Sequence, residues 1–142
     1  MNYSNKSEEE KKKKSEEESV SRTVILNKIL EKLNRVGNFS ASILAADSGL
    51  IMAEAGSENG KETITMAAMS SLAHATASRI QDLLKMGKLK DIVIQAKENM
   101  VVFKTIRVDN HIFILGILAP QSAKIDENLL RKVADKIMEI FG

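Results

Sequence analysis

The chain contains no cysteine and no tryptophan, and a single proline and a single tyrosine among 142 residues. The first absence excludes disulfides, thiolate metal sites and a cysteine nucleophile. With only two histidines and no tryptophan, there is little material for a metal cluster or a tryptophan-based stacking platform. No apolar run approaches the ~20 residues that a membrane helix needs, and the N-terminus is polar and charged, unlike a signal peptide. Net charge is also scarce. The 21 basic and 19 acidic residues leave +2, too weak a field to argue for a nucleic-acid partner. These absences predict a cytoplasmic protein that neither inserts into membranes nor binds nucleic acid.

What remains is ordinary for a globular domain: 44% hydrophobic and 28% charged residues, in a chain whose length fits one domain plus a tail. Residues 1–20 are expected to form a disordered or frayed helical tail. Up to Ser19 the segment has no aliphatic residue after Met1, and its five lysines face six glutamates. Such a segment cannot bury enough apolar surface to offset its ordering entropy. Glu8/Lys12, Glu9/Lys13 and Glu10/Lys14 stand four apart and favour a transient helix. Residues 21–142 form the domain, long enough to build one core.

Ser21 or Thr23 can cap a first helix with Ile25, Leu26, Ile29, Leu30, Leu33 and Val36 inward, ended by Gly37 in a left-handed conformation. Strands over 39–46 and 50–55 flank the Asp47-Ser48-Gly49 turn as a hairpin. Residues 61–86, free of glycine and proline, predict a long helix stopped by Gly87. Its many alanines and serines permit close approach, with Ile64, Leu72, Ile80, Leu83 and Leu84 expected to supply burial. Strands over 90–97, 100–108 and 111–118 follow as an antiparallel meander. The last, HIFILGIL, is apolar on both faces and requires helices on both sides of its sheet. Pro120 ends the strand direction, and residues 126–141 form an amphipathic helix. The order is α-β-β-α-β-β-β-α, an α+β domain.

Four stretches within that order, ILNKILEKL (residues 25–33), SASILAADSGLIMAEA (40–55), MAAMSSLAHATASRIQDLL (66–84) and DIVIQA (91–96), resemble the dynein light-chain roadblock family. The resemblance covers residues 25–141 and rests on diffuse patterns rather than an invariant catalytic string. It implies a five-stranded antiparallel sheet in the order 2-1-5-4-3. The first and last helices lie on one face and the middle helix on the other. It also implies homodimers or heterodimers with a second roadblock protein, which serve as non-enzymatic scaffolds or regulators of small Ras-like GTPases, or as adaptors.

Dimerisation also follows from the residues. A third strand at the sheet edge would leave Asp91, Ile92, Val93, Ile94 and Gln95 with unpaired backbone groups, which proteins rarely leave open. Pairing two such edges about a two-fold axis gives a ten-stranded sheet and sets the middle helices side by side. Ser71, Ala75 and Ser78 are the helix residues expected in that interface. A loop covering the strand within one chain is the plainer alternative.

Catalytic candidates are weak. His74 has Ser70, Ser71 and Ser78 nearby but no evident orienting carboxylate or oxyanion loop. His111 opens a strand beside the Asp109-Asn110 turn, and the two histidines show no metal-ligand spacing. No Gly-rich loop leads into a helix with lysine and serine or threonine. No catalytic, metal or cofactor-binding residue is therefore assigned, and any nucleotide must sit in a partner. Arg79 is the candidate partner contact. An arginine finger supplied in trans is the sharper reading, and a surface or interface salt bridge the plainer one. The competing classes are a PAS-like small-molecule sensor, which needs an interior pocket, and a longin- or profilin-type trafficking or motor adaptor. Longin domains generally lead with a strand, whereas this chain leads with a helix.

Overall fold

The computed structural model describes the backbone of residues 3–142 and the side chains of residues 7–142. Three helices and five strands follow one another: α1 (Tyr3–Gly37), β1 (Ala41–Ala46), β2 (Ile51–Ala55), α2 (Lys61–Leu84), β3 (Asp91–Gln95), β4 (Asn99–Val108), β5 (His111–Pro120) and α3 (Glu127–Phe141). The strands form one antiparallel sheet in the order β2-β1-β5-β4-β3. Element order and strand order both match the sequence expectation.

The period-2 pattern of the central strands divides the core into two layers. On one face Leu44, Val102, Ile106, Leu115 and Ile117 meet Leu26, Leu30 and Leu33 of α1 and Leu130, Val133 and Ile137 of α3. On the other, Ile43, Ala45, Phe103 and Ile114 meet Met66 and Ala67 of α2. HIFILGIL is apolar on both sides because it is the middle strand, covered above and below. Gly116 supplies the close approach: a Cβ there would stand 2.8 Å from Ile43 Cγ1 and 3.2 Å from Phe103 Cδ1.

Several local features differ from the sequence reading, and Ile25 and Val36, expected inward, are 48% and 59% exposed. α1 begins at Tyr3, well before the cap expected at Ser21 or Thr23. Residues 7–25 form an exposed helical arm, and residues 1 and 2 lie outside the described residues. The docked half of α1 supplies the costly nucleus, so each arm residue adds a hydrogen bond without nucleating a helix alone. The alternating Glu and Lys blocks add favourable i, i+4 neighbours.

Gly37 does not take the left-handed conformation. Asn38 does, at φ 58°, while Gly37 is needed because a Cβ there would collide with the Phe39 ring. α2 likewise ends through Lys85 at φ 52° rather than at Gly87. The link to β3 is fastened where Gln81 Oε1 accepts the Leu89 N–H at 2.6 Å. At α3, Asp126 caps the helix by accepting from the N–H groups of Asn128 and Leu129.

Candidate functional site: the free sheet edge and the α2 trough

The two edges of the sheet are finished differently. At β2, α1 lies along the edge and Asn27 Oδ1 accepts the Glu54 N–H at 3.0 Å. β3 has no such cover among the described residues. The flanking rungs Thr105 N–H to Lys90 O and Ala96 N–H to Asn99 O point toward β4. By alternation, Ile92 and Ile94 also bond inward, whereas Asp91, Val93 and Gln95 turn their N–H and C=O groups outward. Val93 and Ile94 are 53% and 50% exposed.

Above this edge α2 leaves an apolar trough of about 620 Å³. Met69, Leu72, Ala73, Thr76 and Ile80 form its wall, and Ile92, Ile94 and Phe103 its floor. The wall repeats at helical spacing along one side of α2.

Burial on α2 inverts the sequence expectation. The residues buried against the sheet are Thr63, Met66, Ala67 and Ser70. Ile64, Leu72, Ile80, Leu83 and Leu84, expected to supply burial, are all exposed. Ala67 and Ser70 let the helix lie close to the sheet, which leaves Ile64, Leu83 and Leu84 exposed, while Leu72 and Ile80 line the trough. A second stripe, Ile64, Ala68, Ala75, Arg79 and Leu83, faces away from the sheet, all exposed, and Leu72 stands on the border between it and the trough. A soluble monomer rarely shows so much contiguous apolar surface without a use for it.

The sequence-assigned residues therefore separate. Asp91 to Gln95 form the free edge, with Asp91 Oδ1 held 3.4 Å from Lys104 Nζ on the neighbouring strand. Ser71, Ala75 and Ser78 do not line the trough. Ser71 packs beside Gly49 of the β1–β2 turn, Ala75 belongs to the outward stripe, and Ser78 Oγ lies 3.5 Å from His74 Nε2. The sequence reading assigns Leu72 and Ile80 to burial and does not single out Met69, Ala73 and Thr76 as a wall of the trough. The i, i+3, i+4, i+7, i+11 spacing of all five was the available signal, once Thr63, Met66, Ala67 and Ser70 are identified as the inner face. Arg79 stands exposed on the outward stripe, with no carboxylate within 4 Å among the described residues.

His74 is half-buried, its Nδ1 unpartnered. Ser70 Oγ donates to the Ala67 carbonyl at 2.8 Å, away from any nucleophile geometry. Glu62, at the start of α2, has its carboxyl held below its ordinary range, chiefly by the Ser57 hydroxyl donating at 2.7 Å. Among the described residues no group of three or more His, Asp or Glu side chains is arranged to hold a metal, and no helix is long and apolar enough to cross a membrane.

No protein-family model matches the chain, and no curated protein matches it in sequence. Solved structures do match in shape. Myxococcus xanthus MglB superposes with a TM-score of 0.71 at 14% identity, over 82% of this chain and 86% of that one. An MglB with a tetrameric arrangement gives 0.71 at 14% identity, over 84% and 89%. A Roadblock/LC7 domain from Streptomyces avermitilis gives 0.58 at 15% identity, over 80% and 91%. The sheet order, the helix placement and these superpositions together establish that the chain has the roadblock-domain fold.

Proposed function

We propose that the protein is a non-enzymatic dimeric scaffold that binds a small Ras-like GTPase, recruiting it or modulating its GTP turnover. The single observation that carries the reading is the free β3 edge beside an apolar trough. Backbone groups and large side chains are left unsatisfied along one continuous strip, as they are where a second copy binds. Antiparallel pairing about a two-fold axis at Val93 matches all five residues of the strand. Asp91 then bonds opposite the partner's Gln95, and Ile92 packs across from the partner's Ile94. The α2 residues in this seam are Met69, Leu72, Thr76 and Ile80 rather than Ser71, Ala75 and Ser78. The solved MglB described as tetrameric supports self-association as a property compatible with this fold.

The outward stripe of α2 then forms a broad platform on one face of the joined sheets, with Arg79 within it. That platform is the surface offered to the GTPase, and the resemblance to roadblock proteins supports the choice of partner. Sedimentation equilibrium at micromolar concentration tests the assembly: a dimer is expected, and a monodisperse monomer overturns it. Biolayer interferometry against Ras-like GTPases from the source cell, loaded with GDP or a non-hydrolysable GTP analogue, tests the partner. Absence of binding in both nucleotide states overturns that part.

One observation favours a second reading. The trough's volume falls within the ~300–1,000 Å³ of ligand sites, so an apolar-ligand sensor is the alternative. A thermal shift with metabolites and nucleotides separates them, since a filled seam has no room for a ligand.

A further inference from the structure

The opposite face of the domain carries a second groove. It lies between α1 and α3, and each helix contributes residues at i, i+3, i+4 and i+7. These are Ile29, Lys32, Leu33 and Val36 from α1, and Leu129, Lys132, Val133 and Lys136 from α3. The floor is aliphatic and the rim is lysine, with no carboxylate in the lining. Val36 is 59% exposed within it. The adjoining groove shares Val36, Leu129 and Lys132 and adds Lys124 and Asp126. Asp126 is already committed to capping α3.

Charge and size together define an occupant. Among the described residues the only ion pair within 4 Å is Lys104–Asp91. Lys32, Lys132 and Lys136 thus surround an apolar floor with no carboxylate partner. The cavity of about 160 Å³ lies below the ~300 Å³ at which small-molecule sites begin, and suits one or two aliphatic side chains. Two helices side by side with matching ridges offer the groove into which a third helix packs.

We propose that the α1–α3 groove docks an acidic amphipathic helix of a partner protein, with aliphatic anchors on Val36, Leu129 and Val133 and glutamate or aspartate against Lys32, Lys132 and Lys136. This site lies across the sheet from α2, so it operates whether or not the chain dimerises. In a scaffold it supplies a second attachment point that leaves the α2 platform free.

The test uses the full chain and a fluorescein-labelled helical peptide with leucines at i, i+4 and i+7 flanked by glutamates. A peptide of the same composition in scrambled order and vesicles of phosphatidylserine are run in parallel. The expected result is saturable binding of the patterned peptide, at least tenfold tighter than the scramble and weakened by salt. Binding should fall at least tenfold in the K132E/K136E double variant and in Val36→Glu. All these positions but Val36 are exposed lysines, and Val36 is itself exposed, so an unchanged circular dichroism melt accompanies the loss. Equal binding of patterned and scrambled peptides overturns the proposal, as does binding to vesicles alone. So does a groove variant that changes self-association instead of peptide affinity, because the occupant is then a second copy. A chain found monomeric by sedimentation refutes the dimer reading yet leaves this peptide result standing or falling on its own.

Discussion

Asn27 Oδ1, on α1, accepts the backbone N–H of Glu54 on β2 at 3.0 Å, satisfying one donor of an edge that α1 covers. Replacement by leucine keeps the size but leaves a partly buried donor unpaired, a loss of about 1–3 kcal/mol. Urea unfolding of Asn27→Leu is expected to show a lower midpoint with an unchanged slope. Self-association should not change, because α1 still lies along β2. Unchanged stability would mean that the bond contributes nothing.

At the other edge the direction of each N–H separates two proline substitutions. Val93 turns its N–H outward and Ile94 turns its N–H toward β4. Proline at Val93 removes a donor from the seam without touching the β3–β4 ladder, and proline is tolerated on edge strands in that orientation. Proline at Ile94 breaks an internal rung. Val93→Pro is therefore expected to weaken dimerisation at least tenfold by sedimentation with little change in the melting temperature of the dissociated monomer, whereas Ile94→Pro lowers both. Equal dimer affinity in wild type and Val93→Pro would remove β3 from the interface.

The sheet and its order were legible because the strands carry strong local signals: Asp47-Ser48-Gly49 and Asp109-Asn110 mark turns, and HIFILGIL marks a strand covered on both faces. The free edge was legible for the same reason, since Asp91 to Gln95 follow from the order. The faces of α2 were not. Nearly every α2 position from Ala67 to Ile80 is small or apolar, so periodicity alone does not say which side meets the sheet. The answer depends on how the helix packs on Ile43 and Phe103, which Met66 and Ala67 meet while Thr63 and Ser70 are buried on the same side. The start of α1 was missed for a different reason. Composition argued that residues 1–20 lack a core-facing surface, which is true of the exposed arm. A helix already nucleated by Leu26, Leu30 and Leu33 does not require one.

The Ser57–Glu62 contact gives a pH dependence of known sign. The Ser57 hydroxyl donates to the Glu62 carboxylate, and that bond is the largest cause of its lowered pKa, with the backbone N–H of Glu62 adding to it. A carboxylate lowered on folding stabilises the folded state above its ordinary value, and the contribution is lost as pH falls through the lowered value. Ser57→Ala should move the Glu62 titration back toward the ordinary carboxylate range, read by carbon NMR of the side chain. The site is exposed, so global stability should change little. An unmoved titration would assign the shift to the start of α2 rather than to Ser57.

Ile80 and Arg79 are adjacent in sequence yet face different surfaces of α2, about 100° apart around the helix. Ile80 lines the trough with Ile92, and Arg79 stands on the outward stripe. Glutamate at Ile80 places a charge in the seam, and the two-fold axis doubles it, so dimer affinity should fall at least tenfold. Both positions are exposed, so the folded monomer should persist, and at concentrations that dissociate the dimer its unfolding free energy should lie within about 0.5 kcal/mol of wild type. Arg79→Ala should leave the dimer mass unchanged and weaken a GTPase bound on the platform. GTP hydrolysis by that partner then decides the role of the side chain. A rate unchanged at saturating scaffold leaves Arg79 as a docking contact, whereas a loss of ~10³-fold or more is what an arginine supplied in trans would produce.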